Sequence, residues 1–253
     1  GAFVAGGIAS QPRHVAAAAI ATWFATAAGN AINDYFDRDV DRINNPERAI
    51  PRGAVSPRGA LYFSTVLFVV AVVFALTLPL VAILIAAVNL FGLIAYTEFF
   101  KGVPGAGNAL VAYLGGSTFL FGAAAVGAVF DGAVLFLLAS LSTFTREIIK
   151  DVEDVVGDAE EGLETLPIAI GEQNALLVGL VLLLIAIGAS PLPYVSNLFG
   201  LPYLLVVIPA DAIMLVAIWR SFESPASGQR LLKYGMFLAA AAFIIGRVSV
   251  LVK

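Results

Sequence analysis

The sequence predicts an all-α fold, a multi-span transmembrane helical bundle, and three observations predict it. First, 60% of the 253 residues are hydrophobic and only 13% are charged, with a mean hydropathy of +0.95, so no stretch has the composition of a polar globular domain. Second, the apolar residues fall into eight runs, roughly 14–33, 58–77, 80–97, 108–129, 132–149, 173–190, 200–219 and 231–250. Each approaches the ~20 residues that a helix needs to cross a hydrocarbon core of about 30 Å. Third, the acidic residues gather in two clusters at the ends of runs and in the segment after the second cluster, where an ionised carboxylate avoids the cost of lipid.

Taken in order, residues 1–9 (GAFVAGGIA) are apolar but too short to cross, and are expected to be the tail of a ninth helix beside the eight complete spans. The first span ends in Asn33-Asp34-x-x-Asp37-x-x-x-Asp41, and a loop leads through Ile50-Pro51 to three more spans. The fifth span ends in Lys150-Asp151-x-x-Asp154-x-x-x-Asp158, and a loop leads through Leu166-Pro167 to the last three. The three aspartates of the second cluster stand 117 residues after those of the first. Residues 14–129 and 132–250 therefore read as two four-helix halves in parallel orientation within a single domain, 1–253. That repeat would bring the clusters face to face across a central cavity. A chance match between two acidic loops is the alternative, and identical spacing at equivalent helix ends weighs against it.

The basic residues orient the bundle. Loops alternate sides of the membrane, and those after the first, third, fifth and seventh spans, with their helix ends, hold eleven of the fourteen Lys and Arg. Arg13, Arg247 and Lys253 are the exceptions. By the positive-inside tendency that face, and both clusters with it, is the cytoplasmic side of the cell membrane. The absence of cysteine excludes disulfides, thiolate catalysis and Cys-ligated metals. His14, the only histidine, lies on the opposite face, which argues against a catalytic or ligand role. Nothing points to nucleic acid or to an obligate protein partner.

On a helix at about 100° per residue, Asp34, Asp37 and Asp41 fall within a roughly 60° arc, as do Asp151, Asp154 and Asp158. Each cluster is thus a carboxylate-lined face, whose like charges repel and call for a cation between them. Hard divalent cations choose such oxygen ligands, and Mg²⁺ typically takes one or two carboxylates and leaves its remaining positions to water and substrate phosphates. Asp39 and Glu153 project on the opposite helix faces and are expected to face solvent. Asn33 and Lys150 hold equivalent places one residue before each cluster, an amide in one half and a cation in the other. Arg38, Arg42, Arg48, Arg52, Lys101, Arg146 and Lys150 share the side of the clusters, a mixture that suits a metal-bridged phosphate or diphosphate better than a cation channel. For Arg48 and Arg58 the alternative is a membrane-side anchor. Asp211, inside the span 200–219, is either functional or bonded to a neighbouring helix. Gly115-Gly116 and Gly102-x-x-Gly105-x-Gly107 follow no strand, so close helix packing and a flexible loop explain them.

The stretches NAINDYFDRDVDRINNPERAIPRG (30–53), GNALVAYLGGSTFLFG (107–122) and REIIKDVEDVVGDAEEGLETLPIAIG (146–171) resemble those of the UbiA-type intramembrane prenyltransferases, over nearly the whole chain. Within that superfamily they look most like the archaeal branch that prenylates geranylgeranylglyceryl phosphate. The resemblance implies nine helices around a central cavity open to lipid, with a first helix that begins in a basic, amide-bearing segment not seen here. It also implies two Mg²⁺ ions held against an isoprenyl diphosphate by Asn33, Asp37, Asp41, Asp151, Asp154 and Asp158, with Asp34 as a second contact. Lys101 and Lys150 would then stabilise the departing diphosphate, and Arg38, Arg42, Arg48, Arg52, Tyr96 and Arg146 would bind substrate. Ionisation would leave an allylic cation that the acceptor hydroxyl captures as an ether, the second ether bond of archaeal lipids. The same chemistry with an aromatic or chlorophyllide acceptor is the alternative, because chlorophyll synthases carry a similar first motif. A transporter or channel is the remote one, disfavoured by clusters that sit at helix ends.

Overall fold

The computed structural model describes residues 1–6, 11–36, 38–44 and 46–251, and every regular element among them is helical. The order is α1 (Pro12–Phe36), α2 (Arg38–Asn44), α3 (Pro57–Ala75), α4 (Leu80–Ala95), a π turn (Tyr96–Phe100), α5 (Ala106–Ala125) and α6 (Val129–Glu153). There follow α7 (Val155–Glu160), α8 (Leu166–Ile170), α9 (Glu172–Ala189), α10 (Leu192–Val195), α11 (Leu201–Ser221) and α12 (Pro225–Leu251). Each expected span coincides with one of these helices. Seven are long and apolar enough to cross a membrane. The eighth, α4, has only 16 residues and is carried on by the π turn.

Local chemistry sets the boundaries. Ser56 accepts a hydrogen bond from the Gly59 amide at 3.0 Å and Pro57 follows it, an N-cap and first-turn proline that open α3. Pro202 stands in the first turn of α11, whose N-cap Gly200 offers no side-chain cap. The loop Lys101–Gly105 turns through Gly102 and Gly105, at φ 76° and 70°, a left-handed conformation that favours glycine.

The same pairing order occurs in both sets of four long helices. In each, the first helix packs on the second (α1 on α3, α6 on α9) and on the fourth (α1 on α5, α6 on α12), and the third packs on the fourth. Inter-helix hydrogen bonds sit at matching places: Ser64 donates to the Ala28 carbonyl at 3.0 Å, and Thr145 to the Gly179 carbonyl at 3.1 Å. The sets meet along α5 and α6, where a Cβ on Gly116 would lie 2.7 Å from the Phe136 carbonyl oxygen. Close packing at Gly116 is thus observed, and small residues of this kind let membrane helices approach.

The last third of α6, which carries the second acidic cluster, rests on a firm base. Ile148, Ile149 and Thr145 are fully buried, and the first two pack with Ala175, Leu176, Leu183, Ile218 and Leu232 from α9, α11 and α12. Asp211 bonds a neighbouring element, as one of its two expected readings had it. Its carboxylate accepts the Ser190 hydroxyl at 2.6 Å, while Tyr203 donates to the Ser190 carbonyl at 2.6 Å. The three line a mostly apolar cavity of about 240 Å³.

Candidate functional site

The first cluster is held by an arginine. Asp34, near the end of α1, and Asp41, on α2, both accept from Nη1 of Arg48, at 3.2 and 2.8 Å. Asp41 is buried, 4% exposed. Arg38 and Arg42 instead engage Asp39, at 3.5 and 3.1 Å, and Arg38 also stacks over the Tyr35 ring. Asp39 is exposed, as its helical phase predicts, and Asn33 and Arg52 are exposed too. Asp37 lies outside the described residues.

The second cluster lines a cavity. Asp151 and Asp158, with Tyr96, Lys101, Asn108, Glu147 and Lys150, surround a space of about 140 Å³ at the polar end of α6. Asn108, at the start of α5, donates from Nδ2 to Asp151 at 2.7 Å. Tyr96 comes from the π turn and Lys101 from the residue after it, so the short α4 delivers both to the rim. The Glu164 amide donates to the Gly102 carbonyl at 3.1 Å, which ties the loop after α7 to the loop that carries Lys101. Burial raises the Asp158 carboxyl above the usual aspartate range, the Thr165 side chain offsets part of that, and Asp154 adds a like charge.

The arc drawn on an unbroken helix does not survive here. α6 stops at Glu153, and α7 begins after Asp154, whose backbone (φ −95°, ψ 4°) leaves the helical region. Asp154 therefore turns out to Lys150, 3.7 Å away, and is not among the described residues lining the cavity, whereas Asp151 and Asp158 are. Glu153 is exposed, as expected. Arg146 pairs with Glu147 at 2.7 Å. No described residue of the first cluster lines this cavity.

Sequence reasoning missed Glu147 and Asn108. Glu147 stands four residues before Asp151 and continues the acidic face one turn inward, a spacing that could have revealed it. Asn108 carries no such signal, since its partner lies 43 residues away.

Among the described residues no three acidic or histidine side chains converge on one point. Two carboxylates of one cavity, flanked by Lys101 and Lys150, nevertheless fit Mg²⁺, which completes its shell with phosphate oxygens and water. The arrangement can bind a metal-bridged anion at a polar rim above an apolar bundle.

Comparisons with known proteins agree with this geometry. The UbiA prenyltransferase family matches residues 1–241. A digeranylgeranylglyceryl phosphate synthase of Halobacterium salinarum is 62% identical over 248 residues, which cover 98% of this chain and 90% of that protein. A solved structure described as giving insights into digeranylgeranylglyceryl phosphate synthase in membranes superposes with a TM-score of 0.82 at 33% identity, covering 98% of this chain and 90% of the other. A UbiA homolog from Archaeoglobus fulgidus, bound to GPP and Mg²⁺, shares the fold at a TM-score of 0.63 and 18% identity, covering 92% of this chain and 86% of that one. With the family matched along almost its full length, and with both acidic clusters at the polar ends of its helices, this chain belongs to the UbiA prenyltransferase family.

Proposed function

We propose that the chain transfers a geranylgeranyl group from geranylgeranyl diphosphate to the hydroxyl of geranylgeranylglyceryl phosphate, forming the second ether bond of archaeal membrane lipids. The observation that carries the reading is the cavity where Asp151, Asp158, Lys101 and Lys150 meet at the polar end of an apolar bundle. The acceptor is supported by the Halobacterium relative, a synthase of that product at 62% identity. Mg²⁺ dependence is supported by the same carboxylates and by the Archaeoglobus homolog, which binds GPP with Mg²⁺.

When bound, Mg²⁺, as two ions in this reading, supplies Lewis-acid stabilisation of the leaving diphosphate. Asp151 and Asp158 would hold it from one half, and Asn33, Asp34, Asp37 and Asp41 from the other, and Asp154 would join them by turning inward from Lys150. Asn108 fixes the Asp151 carboxylate through its 2.7 Å hydrogen bond. Lys101 and Lys150 offset charge that develops on the diphosphate, a preorganised electrostatic contribution. Arg48, Arg52, Arg38 and Arg42 supply cations for the acceptor phosphate, and Arg146 and Tyr96 border the donor. The apolar helices below exclude water from the allylic cation and take up the long chains. The matching helix pairings support two repeated halves around the site, and the basic-residue bias supports a cytoplasmic location.

Purified protein with Mg²⁺ and geranylgeranyl diphosphate, offered geranylgeranylglyceryl phosphate, 4-hydroxybenzoate and chlorophyllide in parallel, tests the proposal. Transfer to the glycerophosphate alone is expected. Turnover of an aromatic or tetrapyrrole acceptor in its place would overturn it.

A further inference from the structure

We propose that Glu147 is a catalytic base that takes the proton of the acceptor hydroxyl, an inference that rests on the prenyl transfer proposed above. Glu147 lines the same cavity as Asp151 and Asp158. It lies four residues before Asp151, hence on the same face of α6 and about 6 Å deeper along the helix axis. Its side chain is only 15% exposed, and Arg146 holds its Oε1 at 2.7 Å, while Oε2 has no side-chain donor among the described residues. The fully buried Ile148 and Ile149 that follow it anchor this turn of α6.

The internal repeat separates Glu147 from the diphosphate ligands. Asp151, Asp154 and Asp158 each have an aspartate 117 residues earlier, but the position matching Glu147 is Asn30. A carboxylate present in one half only is not part of the duplicated binding set. Its depth assigns it another task. A diphosphate held at the rim by Asp151, Asp158 and Lys101 leaves C1 of the prenyl chain on the apolar side, level with Glu147. There the acceptor oxygen forms its bond to C1, and the C1–O bond to diphosphate breaks with its electron pair leaving on the diphosphate. The hydroxyl proton passes to the Glu147 carboxylate, which later releases it to water at the rim.

The test compares Glu147→Gln and Glu147→Asp in the full chain, with thermal unfolding in detergent to confirm folding. Three quantities are read: binding of a non-hydrolysable geranylgeranyl thiodiphosphate, Mg²⁺-dependent release of prenyl alcohol without acceptor, and ether formation with geranylgeranylglyceryl phosphate. Glu147→Gln should lower ether formation by about 10²–10⁴-fold while analogue binding and prenyl alcohol release stay within about threefold, and Glu147→Asp should recover part of the loss. Wild-type ether formation by Glu147→Gln would overturn the inference and leave the departing diphosphate as base. Equal loss of all three readouts would overturn it too, making Glu147 a diphosphate-site residue. Failure of the wild-type protein to prenylate the glycerophosphate would instead strike the reading of the function itself.

Discussion

Asp151→Asn separates the proposed metal role of the second cluster from its structural role, because asparagine keeps the shape and one acceptor oxygen. In the protein as it stands, Asn108 donates to Asp151 at 2.7 Å, a bond to a charged acceptor worth about 1.5–3 kcal/mol against 0.5–1.5 for a neutral one. The substitution therefore costs about 1 kcal/mol of fold stability. Relief of repulsion from Asp158, which shares the cavity, and of the cost of burying a charge offsets that by on the order of 1 kcal/mol at an effective dielectric of about 20. For a chain of this size a net loss of up to 1 kcal/mol shifts the melting temperature by about 2–4 °C. Catalysis should respond far more strongly. Loss of one carboxylate from a metal that stabilises a departing diphosphate removes several kcal/mol of transition-state stabilisation, and about 3–4 kcal/mol corresponds to a 10²–10³-fold fall in rate. The assay pairs thermal unfolding in detergent with transfer of labelled geranylgeranyl diphosphate into extractable lipid, and Asp39→Asn is the exposed control that should remain near wild type. A variant at position 151 that retained a third of the activity would refute the placement of Asp151 at the metal, and one that failed to fold would refute the small stability cost.

Three further outcomes follow from the same geometry. Because the chain has no cysteine, single cysteines at the exposed Ser56, Val103 and Ser227 should react with membrane-impermeant thiol reagents only from the cytoplasm, and those at Thr77, Asp131 and Ser196 only from the other side; a cytoplasmic signal at Ser196 would break the alternation. Arg52→Glu should raise the KM for the phosphorylated acceptor more than that for the donor, since it weakens a ground-state contact and leaves the metal ligands in place, and an equal rise for both would assign Arg52 to the diphosphate or to its loop. Because burial raises the Asp158 carboxyl in the fold, the folded chain binds more protons than the unfolded one between the ordinary aspartate range and that raised value. The Asp158 contribution to metal-free stability should thus increase as pH falls through the window, while Mg²⁺-dependent activity weakens there as the ligand protonates. Asp158→Asn should remove this contribution to the stability slope, and an unchanged slope would contradict the shift.

The spans were legible because membrane crossing makes a demand that composition alone answers: enough consecutive apolar residues and few charges. Periodicity also placed Asp39 and Glu153 on exposed faces, since both sit within about a turn of a helix whose phase the neighbouring aspartates define. The same rule misplaced Asp154. It assumed that α6 runs unbroken through the cluster, and the backbone leaves the helix at that residue. Pairings across the chain were not legible at all. Arg48 reaches Asp34 and Asp41 only because the loop after α2 folds back, and Asn108 reaches Asp151 only because α5 and α6 pack side by side. Asp211 stood open between two readings until Ser190 was seen to donate to it.

The depth at which polar groups stop explains why the family chemistry and the bundle belong together. Asp151, Asp158, Lys101 and Lys150 occupy the polar end of the cavity, where a multiply charged diphosphate can be neutralised without first being carried into lipid. Behind the cavity, Ile148, Ile149 and Thr145 of α6 are fully closed off from solvent on the side packed against α9, α11 and α12, so the wall at that level is backed by closed apolar packing. The boundary between these regions must fall at the reacting carbon. If it lay higher, the diphosphate would lose its counter-charges; if it lay lower, water would compete with the acceptor for the allylic cation. Glu147 sits at this boundary, its carboxylate bordering the cavity and its helix neighbours buried in the bundle. A polar group is tolerated there only when paired, and Arg146 pairs it.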